Sequence, residues 1–373
     1  MTSDSALETI SIQGFKSIAS VQDLRLGPIN VLIGANGSGK SNFIGAFSFL
    51  HAIREGRLQS TVTAAGGAER LLHFGSKITE EIAFHLGFSG QVNQYRLRLK
   101  TTDDDSLYPF AETAYYWAKS QYAEPYSSGI EPIGRRLEAG ISNPQLIKTA
   151  GWVRTLLGGW RVYHVHDTSS TSPMRKTAKL DDNEHLRADG SNLAAFLYVL
   201  QERHSESYSL IRRTVQMVAP FFDDFRLRPN PLQPESIKLE WRHRDSDLYF
   251  DAASLSDGTL RFIALATLFL QPKSYRPSTI LVDEPELGLH PYAIGKLAAL
   301  VRQVSVETQV VVSTQSSLLL DYFEPEEVLV AERVGGATQI RRLEAAPLAA
   351  WLADYSLGQL WEKNEIGGRP GKG

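Results

Sequence analysis

The chain has 373 residues, 42% of them hydrophobic and 22% charged, which allows a sizeable core in one large domain or two or three smaller ones. A formal charge of -3 excludes global basicity as a sign of nucleic-acid binding, so any such binding needs a local patch. The chain has no cysteine, which excludes a disulfide framework and any cysteine-held zinc or iron–sulfur centre. The first residues lack a basic stretch followed by an apolar run, and the longest apolar run, 262–270, is about half of what a bilayer needs. A cytoplasmic protein with no membrane contact is expected.

In chain order, residues 8–33 alternate as strands, ending in the apolar "INVLI" at 29–33. A glycine-rich turn follows, then a helix with Phe43, Phe47 and Leu50 on one face and Gly56 as its stop. Residues 81–99 read as a hairpin. Residues 103–150, rich in Pro, Gly, Tyr and acids, read as a loop-rich insertion. "GWRVYHVHD" at 159–167 reads as a buried strand, 168–185 as a polar mobile stretch, 191–222 as two helices and 237–242 as one strand. From Leu255 a strong α/β pattern returns: helix, buried strand "TILVDEP", a helix with Pro291 in its first turn, buried strand "QVVVST", two short strands and a Trp-bearing helical tail. No internal repeat or sustained heptad run is present.

Three motifs carry chemistry. "GANGSGKS", 34–41, matches G-x-x-x-x-G-K-[ST] between a buried strand and an amphipathic helix. Gly34, Gly37 and Gly39 let the backbone curl so that its amides face phosphates at a helix N-terminus. Asn36, Gly37, Ser38, Gly39, Lys40, Ser41 and Asn42 are therefore the expected nucleotide-binding positions. Lys40 is expected to reach the β- and γ-phosphates and Ser41 to ligate Mg2+. The second motif is "ILVDEPELGLHP", 280–291. It places Asp283 and Glu284 at the C-terminal edge of a buried strand, where open α/β sheets bind ligands. Asp283 is expected to hold Mg2+ through water and Glu284 to act as the base polarising the attacking water. A helix-capping turn would show the same acids. The third is "LSDGTLRF", 255–262, in which Ser256 and Gly258 precede an apolar helix. It reads either as a capped core helix or as a signature loop facing a γ-phosphate on a second subunit. "STQSS", 313–317, follows the next core strand and puts Gln315 where a γ-phosphate sensor would stand; its amide can both donate and accept.

Lys40 and Glu284 stand far apart, whereas signature, acidic strand, helix and final strand follow closely. That is the order of an ABC ATPase head split by a large insertion. "ISIQGFKSI", "INVLIGANGSGKSNFI", "LSDGTLRFIALATLFL", "DEPELGLHPYAI" and "WLADYSLGQLWEKNEIGGRP" resemble a compact bacterial group of ATPases in the SMC/RecF/OLD-like branch. The resemblance implies an α/β P-loop ABC-type head with an antiparallel β lobe and a short inserted helical lid. It implies residues 1–167 as the first half of the head, 168–250 as the lid and 251–373 as the second half. It implies ATP and Mg2+ as cofactors, and a head-to-head homodimer in which ATP on Lys40 and Ser41 is capped by Ser256 and Gly258 of the other subunit. Slow ATP hydrolysis is expected, driving work on DNA or an effector in repair or phage defence; the alternative is an ATP-gated sensor or scaffold with little turnover. Three departures stand out. Asp257 occupies a position where transporter signatures carry Gly, no Toprim segment or long coiled coil is evident, and Gln315 stands where related heads carry a histidine. The glutamine loop is sought at "YHVHD", with His166 and Asp167 near the sheet edge. His164 and His166 point the same way on a strand, but no third metal ligand is apparent in sequence.

A local phosphate-binding groove of DNA or RNA type is sought at Arg175, Lys176, Lys179, Arg212, Arg213, Arg226, Arg228, Arg242 and Arg244. Asp223, Asp224, Glu240, Asp245 and Asp247 are interleaved with them, as on an ordinary solvated surface. Trp241 and Tyr249 read as core aromatics before base-stacking ones.

Overall fold

The structure is a computed structural model and describes residues 6–88, 90–127 and 137–368. At its centre lies a six-stranded sheet in the order 337–342, 328–334, 29–33, 309–314, 279–283, 160–163. Four of its five pairings are parallel; only the terminal hairpin, 328–342, is antiparallel. Every residue of Ile29–Ile33 and of Gln309–Thr314 is buried, the mark of strands covered on both faces. Successive side chains go to opposite sides. Val31, Ile33, Val310 and Val312 enter one hydrophobic core, while Leu32, Leu281, Val311 and Leu329 enter the other.

The core that takes Leu32, Leu281, Val311 and Leu329 is shared with the helix Lys40–Arg54 and with an antiparallel sheet in the order 18–25, 7–15, 81–88, 93–101, 107–116, 126–127. Phe47 on that helix packs against Trp160 with ring centroids 5.0 Å apart and the rings tilted by 53°, tying the P-loop helix to the edge strand. The core that takes Val31, Ile33, Val310 and Val312 holds the helices Leu193–Arg203, Ser205–Val218, Asp257–Leu270 and Pro291–Ser305. The helix Asp257–Leu270 has Leu260 to Leu270 buried throughout, so it is an interior element and not an amphipathic surface one. Among the described residues, no helix is long and apolar enough to cross a membrane.

Several local expectations change. The stretch 103–150 is not simply loop-rich: Leu107–Tyr116 is a full strand of the β lobe, and Lys148–Gly158 is a helix. Pro109 inside the strand and the irregular register opposite Leu99 hide it in sequence. So does its buried Glu112, which accepts from Tyr95 Oη and from the amides of Gly140 and Ile141. The strand expected over 159–167 pairs only at Trp160–Tyr163. The strand expected at 237–242 is two, Gln233–Ile237 and Glu240–His243, in separate three-stranded sheets. The inserted segment is therefore helices plus two small sheets, not helices alone. Its polar opening, 168–185, is packed: Met174 and Ala178 are buried, and Arg175 is tied to the loop before the Asp257–Leu270 helix.

Candidate nucleotide site

The parallel register brings the glycine-rich loop, the acidic pair, Gln315 and the histidine loop to one edge; the signature motif at 255–262 is not among them. Ile33 pairs with Thr314, Asp283 with Ser313, and Val282 with Tyr163. The loops leaving these strands carry Gly34–Gly39, Asp283–Glu284, Gln315 and His164–His166. Gly37 and Gly39 have φ of 78° and 102°, and a Cβ at Gly39 would collide with Thr338 Oγ1, so glycine is required there. Lys40 Nζ donates to the carbonyls of Gly34 at 2.6 Å and Ala35 at 3.1 Å. Burial lowers its pKa, opposed by the charges of Glu284, Asp283 and Glu286. Ser38 Oγ is buried without a partner among the described residues, and Ser41 and Asn36 are exposed at the loop. A curled loop of amides, an inward lysine and an unsatisfied hydroxyl form a cradle that fits a phosphate chain and its Mg2+. Asn42 turns away from that cradle: its amide donates to Ser17 Oγ at 2.7 Å.

Sequence reasoning missed what holds the loop. Ser17 Oγ meets Thr338 Oγ1 at 2.7 Å, Thr338 Oγ1 reaches the Ser38 carbonyl at 2.9 Å, and Arg333 donates to the Gly37 carbonyl. Beside it a recess opens, lined by Lys16, Ser17, Asn42, His73 and Arg333. These residues lie near the two ends of the chain and carry no motif that would join them.

Glu284 sits at φ 40°, a left-handed conformation that is uncommon for a residue with a Cβ. Its amide donates to the Ser313 carbonyl at 2.7 Å, so the neighbouring strand holds it there. The amide of Gln315's side chain donates to Glu284 Oε1. Glu286, two positions on, is buried. Its Oε1 accepts from Thr314 Oγ1 at 2.5 Å and from the Gln315 amide at 3.3 Å, while Oε2 finds no partner among the described residues. Desolvation raises its pKa, partly offset by those hydrogen bonds.

Ser256 caps the Asp257–Leu270 helix, accepting from the Thr259 amide at 3.2 Å. Gly258 lies against the Gly288 carbonyl of the "ELGLHP" turn, where a Cβ would not fit. Among the described residues, neither is hydrogen-bonded to the P-loop of its own chain. Asp257, which departs from transporter signatures, accepts from Arg175 Nη2 at 2.7 Å. Arg175 also donates to the carbonyls of Ala252, Leu255 and Thr168. Arg261, one turn into the helix, is buried and donates to the carbonyls of Val165 and His166 at 2.8 and 2.7 Å. A lone cation inside the run "TLRFIALATLFL" was the signal for it.

That bond shapes the loop read as "YHVHD". His164 and His166 stand with ring centroids 6.0 Å apart, and Asp283 supplies the third ligand the sequence did not reveal. Burial lowers the pKa of His164, and His166 adds to this, against the pull of Asp283. Asp167 faces outward and caps its own turn through Ser169.

Four of the nine basic residues sought as a groove are paired with acids. Arg212 pairs with Asp224, Arg226 with Glu240, Arg242 with Asp223 and Arg175 with Asp257. Trp241 is buried and hydrogen-bonded to Ser254, a core residue; Tyr249 lies under the Arg226 guanidinium at 4.3 Å.

The family model described as "AAA domain, putative AbiEii toxin, Type IV TA system" matches residues 29–321. No curated protein matches the chain. The crystal structure of an Smc head bound to the C-winged helix domain of ScpA superposes with a TM-score of 0.58 at 17% identity, covering 91% of this chain and 98% of that one. An Smc head with an extended coiled coil, bound to the C-terminal domain of ScpA derived from Pyrococcus furiosus, gives 0.56 at 15% identity, covering 93% and 98%. Identities this low speak for the fold alone. The chain belongs to the AAA-domain family of that description, and its fold is that of the Smc head domains.

Proposed function

We propose that this ATPase head binds and slowly hydrolyses ATP, and that two copies close head to head on the nucleotide. The observation that carries the reading is Glu284. It is held in a left-handed backbone at the sheet edge, opposite Lys40 and hydrogen-bonded to Gln315. Strain of this kind costs roughly 1–3 kcal/mol and accumulates where geometry serves chemistry. In this reading the amides of Gly37 to Lys40 and the Lys40 ammonium hold the phosphates, and the recess at Lys16 and His73 takes the nucleoside. Ser41 and Asp283 would hold Mg2+, which supplies charge neutralisation along the phosphates when bound. Glu284 accepts the proton of the attacking water. Gln315, which cannot carry a proton, keeps the carboxylate aimed and leaves its own amide oxygen to accept from that water.

Ser256 and Gly258 are assigned to the other subunit's γ-phosphate, because the capped N-terminus of a buried helix offers its amides outward and, among the described residues, is not hydrogen-bonded to the P-loop of its own chain. The Smc heads with which this chain shares its fold assemble with ScpA. By analogy, the output here is a DNA- or effector-directed task, with repair or phage defence as its setting and the cytoplasm as its place. Because Arg212, Arg226 and Arg242 are each paired with an acid, a partner protein is favoured over a nucleic acid as the first contact.

A second reading, an ATP-gated scaffold with little turnover, draws on the same bond: Gln315 occupies Glu284 Oε1, an atom a base needs free. Phosphate release separates the two. Lys40→Ala is expected to abolish ATP binding. Glu284→Gln is expected to cut phosphate release by about a hundredfold or more while accumulating an ATP-bound dimer in size-exclusion chromatography. Unchanged release in both variants sinks the enzymatic reading; a nucleotide-dependent wild-type dimer with no release selects the scaffold.

A further inference from the structure

Two imidazoles and one carboxylate converge at the sheet edge. The donor atoms of His164, His166 and Asp283 all lie within 4.8 Å of one another. A first-row divalent ion about 2.1 Å from each nitrogen requires them within roughly 4.2 Å, so side-chain rotation of under about an ångström closes the set. The backbone behind it is already fixed. His164 N donates to the Ala188 carbonyl at 2.9 Å, and the buried Arg261 grips the carbonyls of Val165 and His166. Asp283 is fixed independently, at the end of a strand paired on both sides. Two donors on a loop pinned by hydrogen bonds and one at the end of a paired strand converge on one point.

The donor chemistry identifies the ligand. Magnesium takes oxygen ligands and keeps its waters, whereas imidazole suits the later first-row ions. Two histidines and one carboxylate on one side of an ion leave positions open for water or phosphate oxygen. We propose that His164, His166 and Asp283 form a divalent transition-metal site, so that the cation beside the P-loop is of the manganese-to-zinc series and not magnesium alone. The site shares Asp283 with the nucleotide reading and deepens it, but its ligands bind without nucleotide.

The test uses cobalt(II) chloride titrated onto the full-length, nucleotide-free protein, followed by visible absorption and calorimetry. Saturable d–d bands are expected in the wild type and should persist in excess Mg2+. His164→Ala and His166→Ala should each weaken cobalt binding by at least about tenfold, with far-ultraviolet circular dichroism unchanged. Equal binding in both variants would place cobalt on other histidines and overturn the proposal, as would ready displacement by Mg2+. ATP binding is measured on the same preparations. Protein that binds cobalt but no ATP overturns the nucleotide reading alone; protein that binds ATP but no cobalt overturns the metal proposal alone.

Discussion

At the scale of single residues, the site is a small set of conflicts held in place by neighbours. Glu284 is strained, Glu286 is buried with one bare oxygen, and Gln315 touches both through its side chain and its amide. Gln315→Ala is expected to lower phosphate release by more than about tenfold while ATP binding is spared, because it removes a donor aimed at the base. Steady-state turnover alongside equilibrium nucleotide binding checks this, and unchanged turnover removes Gln315 from the reaction. Glu286 makes a separate prediction about pH. Its pKa is raised above 4.5 in the fold, so the native state favours the protonated form. Its contribution to stability is therefore full below about 4.5 and is lost as pH rises through the higher folded value. Glu286→Gln keeps an acceptor for Thr314 and the Gln315 amide but cannot ionise. The variant should melt above the wild type at neutral pH, with the gap narrowing toward pH 4.5; thermal unfolding across that range reads it. The P-loop, the two acids and Gln315 were visible in sequence because each sits beside a buried strand with a turn after it. Glu286 was not: nothing in "DEPELG" separates a solvated acid from one turned inward.

At the scale of elements, the loop before the Asp257–Leu270 helix is fastened from the inserted segment. Arg175 is nearly buried and reaches four acceptors on or near that loop, whereas Asp257 is well exposed. The two partners should therefore behave unequally. Asp257→Ala should cost less than about 1 kcal/mol, as an exposed partner of an ion pair. Arg175→Ala leaves several carbonyls without their donor and should cost about 2–4 kcal/mol in denaturant unfolding. Equal costs would mean that the ion pair, and not the carbonyl grip, anchors the loop. The same asymmetry explains why Asp257 can stand where a glycine was expected: Arg175 gives the side chain a place. Element types at 29–54 and 257–314 followed from apolar runs and caps. The β-lobe strand at 107–116 did not, because a proline, a register irregularity and an inward acid erase its alternation. Arg175 and Arg261 were legible only as charges, since their acceptors are backbone carbonyls far away in sequence.

At the scale of the whole molecule, two hydrophobic cores lie on either face of one sheet, and that sheet is assembled from both ends of the chain. Ile29–Ile33, the strand that launches the P-loop, has Gln309–Thr314 on one side and Val328–Val334 on the other. The outer β lobe is different: from residue 81 to residue 116 its strands are consecutive hairpins that need no distant partner. Pairings separated by such long loops form late, since the closure entropy comes before the contacts that offset it. During synthesis the β lobe can therefore condense while the strand at 29–33 still lacks both neighbours. The phosphate loop acquires its shape only when residues 309–334 have left the ribosome. A nascent chain is therefore expected to complete its phosphate cradle only with its sheet, so that under the proposed function ATP binding would report that the head is whole.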